Sequence, residues 1–238
     1  QTLLRRYHIQ EPTGVGQPKS DIDRCAIVVR DNNKCIRCRR CVATCETIQG
    51  IGSIRAVGEG LDAVIEPVSE AGLNATKCVN CGQCISVCPV GALTERDDTG
   101  ELLTALRDPK KYVIVQAAPS VRAALGEEFG FPVGVDVEGR LAAALRELGF
   151  DKVFDTKFGA DLTIVEEAGE LLDRLQNGGV LPMMTSCCPG WIKFCEHEFP
   201  DLLDHLSSCK SPQQMFGAVA KSWYAEKLGM EKENIVVV

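Results

Sequence analysis

Cys35-Ile-Arg-Cys-Arg-Arg-Cys-Val-Ala-Thr-Cys45 and Cys78-Val-Asn-Cys-Gly-Gln-Cys-Ile-Ser-Val-Cys88-Pro89 are two copies of one pattern, C-x2-C-x2-C-x3-C. This spacing lets one loop wrap three corners of an iron–sulfur cube. In chains that carry two such runs, the fourth cysteine of each run crosses to the other cluster. The expected ligand sets are therefore Cys35, Cys38 and Cys41 with Cys88, and Cys78, Cys81 and Cys84 with Cys45. Soft thiolate ligands suit iron–sulfur clusters. Zinc sites use two C-x2-C pairs rather than a triple run ending in x3-C. Disulfides are not expected in runs this dense without a secretory signal.

The surrounding composition is that of a globular protein of 238 residues, 45% hydrophobic and 25% charged, long enough for one or two domains with a sizeable core. A net charge of −7 argues against nucleic acid as a partner, since phosphate binding calls for a basic footprint. No apolar stretch approaches the about 18 residues needed to span a bilayer, and no signal peptide is legible between Gln1 and Gln10. The 13 cysteines favour a reducing cytoplasm with metal-bound thiolates. Gln1 in place of Met and an apolar strand ending at Val238 suggest that both ends are cut, which leaves the periplasm open.

Along the chain, residues 1–20 carry Pro12, Gly14, Gly16 and Pro18 and read as a linker or the end of an upstream cluster module. Residues 21–100 form the cysteine-rich unit. Its insertion, Glu46 to Lys77, holds a hairpin candidate, Ser53–Val57 with Ala63–Val68. The charged stretch 96–110 reads as a linker. From 111 onward strands and helices alternate, as in an α/β layer with a largely parallel sheet. Strands are expected at Tyr112–Ala117, Val153–Asp155, Val180–Thr185 and Asn234–Val238. Helices are expected near 120–129 behind Pro119, at Asp136–Leu148 with Leu141, Leu145 and Leu148 on one face, and at Asp161–Leu175. The last is expected to turn Ile164, Ala168, Leu171 and Leu175 inward. Two further helices are expected at Gly190–His197 and Pro212–Leu228.

Thr185-Ser-Cys-Cys-Pro-Gly-Trp191 is the second sharp signal. Adjacent cysteines between an apolar strand and a helix place thiols at a helix N-terminus, where the dipole and free N–H groups lower a thiol pKa. One cysteine can then bind metal while its neighbour stays free to carry protons. A buried pair of small apolar residues is the plainer reading.

This segment, together with the double cysteine runs, resembles the first signature of the [FeFe]-hydrogenases. Ala118-Pro-Ser-Val-Arg122, Phe158-Gly-Ala-Asp161, Glu166-Glu167 and Lys210-Ser-Pro-Gln-Gln214 are similar to family segments as well, so the resemblance runs from the cysteine-rich unit to Val238. It implies an α+β ferredoxin-like 2[4Fe-4S] domain followed by an α/β domain with a mostly parallel sheet. Residues 111–238 would be the N-terminal half of the domain that holds the H-cluster, a [4Fe-4S] cube joined to a two-iron unit. By that resemblance Cys188 matches a ligand of the cube and Cys187 a free thiol that passes protons. Glu167, Glu170, Arg174 and Ser207 match a proton path, while Ala118, Pro119, Ser120 and Gln213 match residues lining the two-iron pocket. Glu167, Glu170 and Arg174 also share one helical face by spacing alone. Taken alone, that spacing fits a solvated face with one ion pair better than a relay.

The implied reaction is 2H⁺ + 2e⁻ ⇌ H₂, with ferredoxin or an NAD(P)-linked subunit as electron partner. Family members supply three further cube cysteines beyond the point matching Val238, so this segment alone offers one of four cube ligands. Leu3-Leu4-Arg5-Arg6-Tyr7 resembles the trailing helix of an upstream cluster module. Cys25, Cys195 and Cys209 match no ligand position and read as core or surface thiols. The alternatives are an iron–sulfur electron carrier and a hydrogenase-like iron–sulfur assembly protein; Cys187 and the Glu167–Glu170 pair favour the enzyme.

Overall fold

A computed structural model describes Arg6, residues 22–24 and residues 27–238. The linker expected over residues 1–20, the Leu3–Tyr7 resemblance (apart from the helical Arg6) and Cys25 lie outside the described residues. The chain divides into two compact units, the second beginning at Asp97.

In the first unit β1 (Ile22–Arg24), β2 (Val28–Asp31) and β5 (Leu93–Glu95) form an antiparallel sheet in the order β1-β2-β5. A separate hairpin pairs β3 (Ile54–Val57) with β4 (Val64–Pro67), setting Arg55 opposite Glu66. Its alternation puts Ile54 and Ile65 into a core with Val28, Cys41, Leu73 and Leu93. The two cysteine runs lead into short helices, α1 (Arg40–Ala43), continued by a π turn over Thr44–Ile48, and α2 (Gln83–Ser86). Six of the eight run cysteines, all but Cys38 and Cys81, belong to this core or pack against it, so the apolar centre of the unit is built largely around sulfur.

The second unit opens with α3 (Thr99–Arg107), where sequence reading expects a linker. Leu102, Ala105 and Leu106 recur at helical spacing and pack on Val113, Val115 and Phe150. The surrounding charges hide that short apolar stripe in the sequence. A parallel sheet follows, β6 (Tyr112–Ala117) flanked by β7 (Lys152–Asp155) and β8 (Ile235–Val237), in the order β7-β6-β8. The central strand is apolar on both faces because both are covered. Val113 and Val115 face α3 and Leu145 of α5 (Glu138–Glu147). Ile114 faces Phe216 and Ala220, in and just after α8 (Pro212–Val219). Each such buried aliphatic side chain contributes about 1.5–3 kcal/mol. Between β6 and β7 the chain runs through α4 (Pro119–Glu128) and α5; between β7 and β8 it runs through α6 (Lys157–Asn177), α7 (Pro189–Glu198), α8 and α9 (Ala225–Leu228).

Three expectations are corrected. Val180–Thr185 forms no strand; only Met184 makes an isolated bridge, to Leu206. Leu148 is 65% exposed at the end of α5. Most important, α6 turns its other face inward. Ile164, Ala168, Leu171 and Leu175 are exposed, and Gly159, Thr163, Glu167, Glu170 and Arg174 take the buried or half-buried side. Charged residues can take that side where partners neutralise them, and a hydrophobicity pattern cannot report partners.

Gly159 explains how closely α6 meets α8: a Cβ there would collide with the carbonyl oxygen of Pro212. Gly169, on the same helix, faces open space. Gly159→Ala is expected to destabilise the protein by about 1–3 kcal/mol through overpacking. Gly169→Ala is expected to stabilise it by up to about 1 kcal/mol through helix propensity. Denaturant unfolding of the two variants beside wild type checks the pair.

Candidate functional site

The first unit gathers its cysteines across the two runs. One cavity is lined by Cys35, Cys38, Cys41 and Cys88, with Ile36, Ile65, Val87 and Leu93 in its walls. Cys84 sits within electrostatic reach of Cys78, Cys45 and Cys81. The grouping is thus three cysteines of one run with the last of the other, twice over. Burial pushes the Cys41 thiol up to about 11, and Cys35, Cys38 and Cys88 add to the rise. Burial pushes Cys84 up to about 12, with Cys78 and Cys45 adding. Burial also opposes ionisation of Cys88, but the backbone N–H groups of Val90, Leu93, Ala92 and Gly91 outweigh it and hold that thiol below its ordinary value. Four thiolates crowded in a half-buried space repel one another, and an iron–sulfur core among them removes that cost. The backbone around Cys88 is already arranged to donate to sulfur, as are the Arg37 amide to Cys35 Sγ and the Ser53 amide to Cys45 Sγ, each at 3.3 Å. The donor set fits the group.

Wrapping a loop this tightly calls for left-handed backbone on either side of the second cysteine. Arg37 (φ 59°) and Arg39 (φ 60°) flank Cys38, as Asn80 (φ 58°) and Gly82 (φ 72°) flank Cys81. Asn and Gly tolerate this conformation; for most other residues it costs about 1–2 kcal/mol.

In the second unit Ala118, Pro119, Ser120, Cys187, Cys188 and Gln213 lie at three helix starts, each with proline in the first turn. Ala118 caps α4 ahead of Pro119, Cys188 caps α7 ahead of Pro189, and Ser211 caps α8 ahead of Pro212. Proline's fixed φ suits the first helical position, where its missing N–H costs nothing. Ser211 and Gln214 form a reciprocal capping box, which takes Gln214 out of play and leaves Gln213 exposed. Gln213's carbonyl accepts from Gln116 Nε2 at 3.3 Å. Gln116 Oε1 is buried with no partner among the described residues. Gln116 is the second-last residue of β6, at the carboxyl end of a parallel strand, where open α/β sheets bind ligands. Ser120, Cys187 and Cys188 are exposed.

Glu170 is the hub of the proton-path candidates. Ser207 Oγ donates to its Oε2 at 2.9 Å, Ser208 donates through its amide (3.0 Å) and hydroxyl (3.2 Å), and Cys209 Sγ lies 3.7 Å away. Arg174 binds Oε1 through Nε (3.1 Å) and Nη2 (2.6 Å). Its remaining donors reach the carbonyls of Val180, Asp204 and Leu206. All five guanidinium N–H groups are therefore used, and Arg174 acts as a clamp on the segments around α6. Burial pushes the Glu170 carboxyl up, but the hydrogen bonds from Ser207, Arg174 and Ser208 outweigh it and hold the group below its ordinary value. Glu167, half-buried one turn earlier, has no hydrogen-bond partner among the described residues, nor has Cys187. The structure thus brings Glu170, Arg174 and Ser207 into contact and leaves Glu167 and Cys187 unjoined.

Sequence reasoning missed Ser186, Ser208 and Cys209. Ser186 Oγ donates to the Cys209 carbonyl at 2.9 Å, and the Cys209 amide donates to Ser207 Oγ at 3.1 Å. Cys209, expected as a core or surface thiol, therefore joins the Glu170 network to the residue before Cys187. The run Ser207-Ser208-Cys209 was the available signal. Cys195 is fully buried, as a core thiol should be.

Residues 111–238 match the family model of the iron only hydrogenase large subunit, C-terminal domain, and residues 34–92 match the 4Fe-4S dicluster domain. The chain belongs to the iron-only hydrogenase family. It is 53% identical to the NADP-reducing hydrogenase subunit HndD of Solidesulfovibrio fructosivorans, with 100% of this chain and 42% of that one aligned. It is 45% identical to iron hydrogenase 1 of Clostridium pasteurianum over 87% of this chain and 36% of that one. It therefore spans less than half the length of either relative. A solved variant of the apo [FeFe]-hydrogenase HydA1 from Chlamydomonas reinhardtii superposes with a TM-score of 0.57 at 49% identity, covering 60% of this chain and 37% of that one. The dicluster match gives residues 34–92 two 4Fe-4S clusters as cofactors.

Because Glu170 is held below its ordinary carboxyl value of 4.5 in the fold, its contribution to stability is fully present above that pH. It is lost as pH falls through the lower folded value. Glu170→Gln is expected to cost about 3 kcal/mol near pH 7, because it leaves the Arg174 charge unpaired. The gap from wild type is expected to shrink below about pH 4.5 as the wild-type carboxyl protonates. Urea unfolding of both proteins across that range measures it.

Proposed function

We propose that this chain is the part of an [FeFe]-hydrogenase that takes in electrons through two [4Fe-4S] clusters and handles protons beside the H-cluster, in the reaction 2H⁺ + 2e⁻ ⇌ H₂. The observation that carries the reading is the Ser186-Cys187-Cys188 segment: it opens α7 and is tied through Cys209 to the Glu170–Ser207 pair. A docking domain or simple electron carrier has no use for a paired thiol next to a carboxylate network. The similarity to hydrogenases at 45–53% identity supports the same reading.

When bound, the H-cluster supplies the two-electron chemistry that joins protons and electrons as H₂. In the proposal, Cys35, Cys38, Cys41 and Cys88 hold one ferredoxin-type cluster, and Cys78, Cys81, Cys84 and Cys45 the other. Cys188 contributes a thiolate ligand in the second unit, which is the first part of a larger α/β domain. Ala118, Pro119, Ser120 and Gln213 line the pocket, with the unpaired Gln116 Oε1 beneath them. Protons pass along Glu170, Ser207, Glu167 and Cys187. Arg174's part is positional: it fixes Glu170. Closing the gap between Ser207 and Glu167, and between Glu167 and Cys187, requires side-chain rotation or ordered water. The electron partner is a ferredoxin or an NAD(P)-linked subunit, and the compartment a reducing cytoplasm. Among the described residues no helix is long and apolar enough to cross a membrane.

Two measurements test this. Cys187→Ala in the full-length protein is expected to lower hydrogen turnover by at least about 10²-fold, the scale of a lost proton-transfer group, with cluster iron unchanged; near-normal turnover removes Cys187 from the relay. Anaerobic reconstitution of residues 1–238 is expected to give about eight irons, and Cys88→Ala about four, from loss of one four-iron cluster. An unchanged iron content in Cys88→Ala overturns the crossed ligand sets.

A further inference from the structure

The loop after the first cysteine run folds back onto that run's last cysteine. The Cys45 carbonyl accepts from the amides of Ile51 (2.9 Å) and Gly52 (3.2 Å), and Cys45 Sγ accepts from the amide of Ser53 at 3.3 Å. Three successive N–H groups thus converge on one residue, an arrangement that favours negative charge. Gly52 allows the turn with a φ of 65°, a left-handed conformation that glycine adopts at little cost. The Ser53 carbonyl accepts from the Val68 amide at 3.0 Å. Both backbone groups of Ser53 are therefore in use.

Its hydroxyl is not. Ser53 is 0% exposed, and its Oγ has no hydrogen-bond partner among the described residues. A hydroxyl buried without a partner is costly, and its one O–H can turn to suit an acceptor. Oγ stands three bonds from the amide that already points at Cys45 Sγ. Thr76, two residues before Cys78, is different: its Oγ1 donates to the Leu73 carbonyl at 2.7 Å and accepts from the Cys78 amide at 3.2 Å. In the other sulfur set, Arg37 donates to Cys35 through its amide, and Val90, Gly91, Ala92 and Leu93 donate to Cys88 through theirs. Ser53 brings the Cys45 side a hydroxyl beyond its amide.

We propose that Ser53 Oγ donates a hydrogen bond to the sulfur of the iron–sulfur cluster held through Cys45, and so sets that cluster's reduction potential apart from that of the cluster held through Cys88. This rests on the crossed ligand sets of the proposed function. One-electron reduction adds negative charge to the cluster and its thiolates, so a donor to sulfur stabilises the reduced form more than the oxidised one. The hydroxyl therefore raises the potential.

EPR-monitored redox titration of the reconstituted 238-residue chain tests this. Ser53→Ala removes only the oxygen. It is expected to lower the equilibrium constant for reduction of one cluster by about tenfold, or about 59 mV for one electron, and to leave the other in place. The shift is expected to persist in the Cys88→Ala background, which keeps the cluster at Cys45, and to be absent from the Cys45→Ala background, which keeps the other. Pulsed EPR after exchange into D₂O is expected to find fewer exchangeable deuterons near the reduced cluster in Ser53→Ala than in wild type. Ser53→Thr is expected to stay within about twofold of the wild-type equilibrium constant, because it retains the donor. An unchanged or raised potential in Ser53→Ala overturns the proposal and leaves the hydroxyl to ordered water. An equal shift of both clusters, or a shift that survives in Cys45→Ala, also overturns it and assigns Ser53 to packing. EPR reads only molecules that carry the cluster, so partial loss of iron in a variant does not hide the shift. Iron content in the two cysteine variants reports on the ligand sets separately: about four irons in each supports them. About eight in either overturns the crossed sets, whatever Ser53→Ala does in the two-cluster chain.

Discussion

Four thiolates cannot share a small, half-buried space unless positive charge sits among them. The first unit is organised around that constraint. Its apolar core is mostly the outer wall of two sulfur cages, with the β3–β4 hairpin and the β1-β2-β5 sheet closing the sides. A unit of this size has few purely hydrocarbon contacts to hold it, so the bonds from sulfur to iron would act as its cross-links. Backbone amides pointed at Cys88, Cys35 and Cys45 extend the same logic to the polar atoms nearby.

The second unit meets the burial of charge by a different route. On α6 the side that packs against neighbouring segments is the polar one, and it is tolerable because nothing at Glu170 or Arg174 is left unsatisfied. Arg174 spends five donors on five contacts, and Glu170 accepts from Ser207, Ser208 and Arg174. A saturated pair of this kind specifies where the loops after α6 and before α8 must sit, in a way that an apolar contact of the same area would not. Gly159 then sets how near α8 comes.

The contrast explains what the sequence could and could not tell. The cysteine runs are legible because spacing alone determines which sulfurs meet. The β6 strand, the hairpin and the proline-started helices are legible because local propensity and tertiary role agree there. The inward face of α6 is not legible in the sequence because a hydrophobic stripe, Ile164 through Leu175, competes with a polar stripe whose partners Leu206 and Ser207 lie 32 and 37 positions away in the chain. Helix α3 reads as a linker in the sequence because its apolar residues are few and its charges many. Cys209 matches no ligand spacing, and its role here comes from its backbone groups as much as from its thiol.

The same hydrogen bonds that make α6 stable also set a condition on the proposed proton relay. Ser207 donates to Glu170, and Glu170 is held ionised in the resting fold. A proton arriving there must overcome the stabilisation that Arg174 and Ser208 give the anion, and Ser207 must rotate so that it accepts from Glu170 and donates onward. Each hydrogen bond that fixes the carboxylate's position therefore lowers its basicity. A relay through this residue depends on proton occupancy that is brief and driven by what happens further along the path. Strength of positioning and ease of protonation are opposed at Glu170, and the near-complete satisfaction of Arg174 places this protein on the side of positioning.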